Sequence, residues 1–510
     1  MLLQEFLENS ARRLPGKTAL VCGSDRLAYA ELDARANRLA HALRFGGVRY
    51  RDRVVVMLDN SPEAVVSIFG ILKSDAVFVV VNPTIKKEKL GFILNNCRAT
   101  GLITHANKLD TIEAAVQETP SLKSIVLVGG AGRFASPAVL VHWGDMLERF
   151  PKTQPPRAAI DVDLAALIYT SGTTGDPKGV MLTHQNMVSA STSITTYLEN
   201  REDDIILSTL PLSFDYGLYQ AIMSAQFGGT VILEKSFLYP YAVINLLKKE
   251  NVTGFPIVPT ISAILLQLET IRKERFDHLR YITNTAAALP VSHIRGLQAA
   301  FPGVKIYSMY GLTECKRVSY LPPEELDRRP TSVGRGMPNE QVYLVDELEA
   351  VITEPNVVGE LVVRGANLMK GYWENPDETA KMLRRGPYPW EQVLYTGDLF
   401  KMDEDGFLFF VARKDNIIKS RGEKVSPREV ESVLYELPEV VEAAVIGVRD
   451  DLLGEAIKAF VVLKDGSKLT DQEIKAYCMK HLEDFMVPKL VEFRTSLPKT
   501  PSGKITVKGL

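Results

Sequence analysis

Tyr169-Thr-Ser-Gly-Thr-Thr-Gly-Asp-Pro-Lys178-Gly-Val180 follows the apolar run Leu164-Ala-Ala-Leu-Ile168 and precedes the helix-like stretch His184-Gln-Asn-Met-Val-Ser-Ala-Ser. A run rich in Gly, Ser and Thr lets backbone N–H groups and hydroxyls come close to phosphate oxygens, and Lys178 adds a positive charge. The order strand, phosphate-handling loop, helix predicts an α/β fold with ligand chemistry at strand ends. It is not a Walker loop, because Pro177 stands where GxxxxGK[ST] requires its second Gly.

The same rhythm spreads outward from this stretch. From Arg53 to Val81, VVVMLDN and PEAVVSIFGILKSDAVFVVV alternate short β-rich runs with an apolar helical segment, as parallel α/β units do. GLITHA, SIVLVGG, TVILEK and VKIYSMYG are further short apolar runs, several of them closing on turn-forming residues. The Pro-rich segment 150–163 reads as a connector between two lobes. Beyond residue 335 the texture becomes β-hairpin-like, and from about residue 415 a compact α+β pattern follows. The expected organisation is a large N-terminal domain over residues 1–414, made of two α/β lobes plus a β-rich subdomain, and a small mobile α+β C-terminal domain over 415–510.

At 510 residues, 46% of them hydrophobic, the chain is long enough for more than one core. Sixty Lys and Arg nearly balance 62 Asp and Glu, which supplies no broad drive toward nucleic acid or anionic lipid. Cys22, Cys97, Cys315 and Cys478 are scattered without a CxxC pair, so neither a zinc site nor a disulfide framework is expected, and a reducing cytoplasm fits. No run approaches the roughly 20 apolar residues of a membrane span.

TSGTTGDPKG at 170–179 resembles the phosphate-loop signature of the adenylate-forming superfamily, which contains acyl-CoA synthetases, adenylation domains of nonribosomal peptide synthetases, and luciferases. The resemblance continues in order through TAAAL (285–289), MYGLTE (309–314), GELVVRG (359–365), YTGDL (395–399), RKDNIIKSRGEKVSPREVE (413–431) and PKTPSGK (498–504). It implies an enzyme that uses ATP and Mg²⁺ to form an acyl-AMP and then passes the acyl group to a thiol.

Residue by residue, it implies that Thr170, Ser171, Gly172, Thr173, Thr174, Gly175 and Lys178 handle the phosphates. Ala286 and Ala287 leave room for a flat base on which Tyr310, beside Gly311, stacks. Thr313 contacts phosphate and Glu314 ligates Mg²⁺, as a hard cation bound through one carboxylate and nucleotide oxygens requires. Asp398 grips the ribose hydroxyls, with Arg413 assisting. Lys504 is the adenylating lysine, a mobile point charge suited to charge developing on pyrophosphate. Asp415 marks the hinge, and Gly422 lies in the loop that replaces Lys504 when the small domain rotates for thioester formation. Together Lys504, Lys178, Thr170 and Glu314 form the expected catalytic set.

The acyl pocket is expected from Phe214, Asp215, Tyr219, Ile282, Asn284, Met309 and Arg317. An ionised Asp215 in an apolar pocket calls for a cationic partner, and a substrate ammonium would supply it, as in amino-acid-activating members; the alternative partner is Lys316 or Arg317. Those two basic residues are unusual at a pocket wall. They either engage a second carboxylate of a diacid or acidic amino acid, or turn to solvent. The leading expectation is therefore an amino-acid substrate, with CoA or the phosphopantetheine arm of a separate carrier protein as the thiol. A fatty or aryl acyl-CoA synthetase without amine recognition is the alternative. A nucleotide-sensing relative without catalysis would be free to lose Lys178, Glu314, Asp398 and Lys504, all of which are present; a luciferase-like oxidative enzyme is separated from a ligase only by its rarity.

Overall fold

The computed structural model describes residues 1–130, 137–170, 177–420, 423–450, 454–500, 505–507 and 510. Among them, four sheets organise the chain in a mixed α/β architecture. The first is seven-stranded, in the order Val139–His142, Ser124–Val128, Ala99–His105, Arg53–Met57, Val77–Val80, Leu164–Thr170, Lys178–Thr183. It is parallel except for its last pair, where Leu164–Thr170 and Lys178–Thr183 run antiparallel with Thr170 opposite Lys178. Val77–Val80 is buried at every position, as the unbroken VFVV run requires of a strand covered on both faces. The helix Pro62–Lys73 is likewise buried at every position except Glu63; Ser61 caps it by accepting from the Ala64 N–H, worth about 1 kcal/mol.

A nine-stranded sheet carries Gly254–Ile257, Tyr281–Asn284 and Lys305–Tyr310 as parallel neighbours, with antiparallel pairs at both edges. The two sheets share one apolar core that includes Phe69, Phe78, Ile168, Tyr216, Phe255 and Leu297. Residues 340–413 form a six-stranded antiparallel sheet. Residues 418–493 supply a five-stranded sheet with a core of its own around Val430, Leu434, Ala459 and Ile474. Among the described residues no helix is long and apolar enough to cross a membrane.

The Pro-rich segment 150–163 does not join two lobes. It returns the chain from the helix Trp143–Arg149 to Leu164–Thr170 in the same seven-stranded sheet. Prolines supply no ladder donors, so the stretch runs as coil and is anchored by side chains. Arg157 reaches Glu5 and Glu8 at 2.7 and 2.6 Å, and the Asp75 carboxylate accepts the N–H groups of Ala158 and Ala159 at 2.9 and 3.2 Å.

Candidate active site

A cleft of ≈ 2240 Å³ opens where Gly254–Ile257, Tyr281–Asn284 and Lys305–Tyr310 end. Its opposite wall comes from the six-stranded and five-stranded sheets, through residues such as Asp398, Arg413 and Ile418. Carboxyl ends of parallel strands leave room between diverging loops, which is why ligand sites collect there.

At the end of Tyr281–Asn284 the chain turns through Thr285–Leu289, and Ala286 sits at φ 75°, a region that L residues rarely enter. Asn284 braces this turn by donating from Nδ2 to the Ala287 carbonyl at 3.0 Å. Ala286, Ala287, Tyr310, Gly311, Thr313 and Glu314 all line the cleft. The Tyr310 hydroxyl donates to Asp398 Oδ2 at 2.5 Å, and Arg413 Nε stands 3.2 Å from Asp398 Oδ1 across the antiparallel pair that makes these residues register partners. Burial, and then the neighbouring Asp398 charge, push the Tyr310 phenol well above its ordinary value, so it remains a donor.

Tyr372 ties the phosphate side to the carboxylate side. Its hydroxyl donates to Glu314 Oε1 at 2.7 Å, and its ring lies 5.5 Å from the Lys178 ammonium. Burial raises the Glu314 carboxyl above the usual range despite that hydrogen bond. Lys178 is ion-paired with Glu378, whose own carboxyl is held low chiefly by Lys178 and also by Lys381. Tyr372 and Glu378 escaped the sequence reading because they lie 58 and 200 residues from the groups they touch, and nothing in local spacing signals such pairings.

Of the residues expected at the acyl pocket, Phe214, Asp215, Met309 and Arg317 line the cleft. Tyr219, Ile282 and Asn284 stand behind that wall. Ile282 is spent on the core of the nine-stranded sheet, Asn284 on the turn it braces, and Tyr219 lies beneath Lys316, whose ammonium is 4.4 Å from its ring centre. Asp215 opens the helix Asp215–Phe227, where free backbone N–H groups favour an anion, and Lys316 Nζ stands 3.6 Å from its Oδ2. Lys316 and Arg317 do not turn to solvent: they are 4% and 2% exposed. Gly311 is required here, because a Cβ would come within 2.5 Å of the Lys316 carbonyl oxygen.

Ser171, Gly172, Thr173, Thr174, Gly175, Gly422 and Lys504 lie outside the described residues, as does the side chain of Asp415, whose backbone belongs to the 3₁₀ turn Lys414–Asn416. Thr170 and Lys178, which flank the loop, both line the cleft.

Comparison with known proteins gives this geometry its class. Residues 7–373 match the family model "AMP-binding enzyme", and 429–504 match "AMP-binding enzyme C-terminal domain". The chain belongs to the AMP-binding enzyme family and is an AMP-forming acid–thiol ligase that uses ATP. It is 33% identical to a long-chain-fatty-acid–CoA ligase of Bacillus subtilis (strain 168), over 99% of this chain and 93% of that one. Among solved structures, the anthranilate CoA ligase AuaEII in complex with anthranoyl-AMP superposes with a TM-score of 0.90 at 28% identity, covering 99% of this chain and 95% of that one. ATP-bound MatB from Rhodopseudomonas palustris gives 0.89 at 27% identity, covering 100% and 98%.

Proposed function

We propose that this protein is an acyl-CoA ligase that does not read a substrate amine. The observation that carries this reading is the Asp215–Lys316 pair: the carboxylate set aside for a substrate ammonium already has a cation at 3.6 Å and a helix N-terminus behind it. The leading sequence expectation of an amino-acid substrate thus gives way to its alternative, in agreement with relatives that bear CoA-ligase names. CoA is the acceptor in this reading.

In the adenylating step, Tyr310 and the Ala286–Ala287 turn hold the adenine, and Asp398 with Arg413 holds the ribose. Lys178 leaves Glu378 for the phosphates. The donor set suits Mg²⁺: Glu314 is a buried carboxylate that, among the described residues, has the Arg413 charge near it but no ion-pair partner, and it stands beside the hydroxyl-bearing Thr313. A divalent ion there would neutralise phosphate charge. Lys504, carried on residues 415–510, stabilises the negative charge that develops as pyrophosphate leaves. Rotation about Asp415 then withdraws Lys504 and brings the Gly422 loop to the thiol side.

The test is pyrophosphate release with ATP and Mg²⁺ over fatty, aryl and amino acids, with and without CoA, including one amino acid and its des-amino analogue. The des-amino acid is expected to react at least as well, and Asp215→Ala is expected not to shift that ratio. An amino-acid preference of roughly a hundredfold that disappears in Asp215→Ala would restore the amine reading.

A further inference from the structure

Lys316 and Arg317 bring two cations to the acyl side of the cleft. Both flank the Tyr216 ring, with the Lys316 ammonium 5.6 Å and the Arg317 guanidinium carbon 5.3 Å from its centre. Against them stands one carboxylate, Asp215, engaged with Lys316. No carboxylate among the described residues is within ion-pair distance of Arg317, and its buried Nε finds no hydrogen-bond acceptor. The other acid near it, Glu340, is pushed by burial well above the ordinary carboxylate range despite the Asn367 amide on its Oε1 at 2.5 Å and the charge of Arg317, so it stays protonated and supplies no counter-charge. Burial lowers Lys316 to about 7, with Asp215 opposing the shift and Arg317 adding to it.

A buried cation left without a counter-ion is costly, and proteins keep one where something else supplies the charge. A guanidinium in a cleft wall whose Nε–H has no acceptor, even though it shares a hydrogen bond with Tyr197, is suited to a planar carboxylate, which it binds through parallel hydrogen bonds. A fatty chain or an unsubstituted aryl ring would meet these groups with hydrocarbon.

We infer that the acid activated here carries a second carboxylate, received by Lys316 and Arg317 at the acyl end of the cleft. This rests on the ligase reading above and departs from the long-chain fatty acids in the names of several relatives. Tyr216 and Tyr219 make the cation-bearing wall aromatic, which leaves the ammonium and guanidinium weakly hydrated and open to an anion.

The experiment measures kcat/KM for CoA-dependent AMP release with a series of saturated monocarboxylic acids and the ω-dicarboxylic acids of equal length. Wild type, Lys316→Met and Arg317→Met are compared. In the wild type the best diacid is expected to exceed its monoacid by roughly a hundredfold or more, and each variant to lose most of that ratio, whatever its absolute rate with the monoacid. Protection from thermal unfolding by ATP shows that each variant is folded; if one is not, the wild-type ratio alone decides. Equal turnover of monoacid and diacid by the wild type overturns the inference and leaves the ligase reading standing. An equal loss of both acids in a folded, ATP-binding variant overturns the assignment of these two residues. Absence of thioester from every acid in both series refutes the ligase reading itself.

Discussion

Asp398 is where stability and nucleotide binding separate most cleanly. In the free protein it accepts the Tyr310 hydroxyl at 2.5 Å and faces Arg413 at 3.2 Å. The Arg413 side chain is 53% exposed, so the ion pair is screened by water and adds little to stability. The Tyr310 hydroxyl is buried, and leaving it without an acceptor in Asp398→Ala costs about 1–3 kcal/mol. Asp398→Asn keeps an acceptor in place, so its melting temperature should fall much less. Binding behaves differently, because two ribose hydroxyls given to a carboxylate are charge-assisted bonds of about 1.5–3 kcal/mol each. Asn retains one neutral acceptor and loses the charge, which predicts about a tenfold rise in KM for ATP. Ala loses both bonds, and kcat/KM for ATP should drop by a factor of several hundred. Pyrophosphate exchange against ATP concentration, run beside calorimetric melting of the same samples, reads both quantities. If Asp398→Ala lowers the melting temperature while KM for ATP stays at the wild-type value, Asp398 only braces Tyr310 and the ribose role is wrong.

Lys504→Ala is expected to lower acyl-AMP formation by about 10²-fold or more while thioester formation from supplied acyl-AMP is largely retained, because a charge that acts only in the adenylating arrangement affects one half-reaction; parallel loss of both would refute the role. Asp415→Pro fixes φ in the turn Lys414–Asn416 and should slow thioester formation far more than adenylation, provided the resting arrangement is the adenylating one, as single-turnover assays of each step will show. A carboxylate seated beside Lys316 raises a pKa that burial has lowered to about 7, in a site where Asp215, Arg317, Cys315, Tyr216 and Tyr219 also face it. Diacid binding between pH 7 and 9 should therefore take up as much as one proton, and KM for the diacid should climb with pH across that window; calorimetry in buffers of different ionisation enthalpy that finds no uptake would refute it.

The strands of both parallel sheets were legible because their apolar runs are short, β-branched and closed by turn residues, and LAALIYT and KIYSMY fall within or beside strands for that reason. The path of segment 150–163 was not, since a Pro-rich stretch reads the same whether it joins two lobes or loops back to one sheet. Tyr310, Glu314 and Asp398, picked from ordered motifs, come together on one cleft. Glu378 and Tyr372 were invisible because their meaning arises only when sheets close on one another. Asp215 was singled out as a charge in need of a partner, with a substrate ammonium as the leading candidate and Lys316 or Arg317 as the alternative; the choice fell to Lys316 only once the fold brought it within 3.6 Å, a distance that sequence spacing does not encode.

The reversal between Gly311 and Arg317 is pinned at several points. Gly311 lies against the Lys316 carbonyl, the Val318 N–H donates to the Tyr310 carbonyl at 3.0 Å, and Asn367 holds the Cys315 carbonyl at 2.6 Å. Tyr310 and the Lys316–Arg317 pair, which line the same cleft, are consequently two ends of one clamped hairpin of backbone, which constrains how such a ligase diverges. A change of side chain at 316 or 317 leaves the length of this hairpin intact, although at 316 it also removes the partner of Asp215. An insertion or deletion between them and Tyr310 would shift that ring along with the two cations, so this turn is expected to keep its length whatever acid is activated.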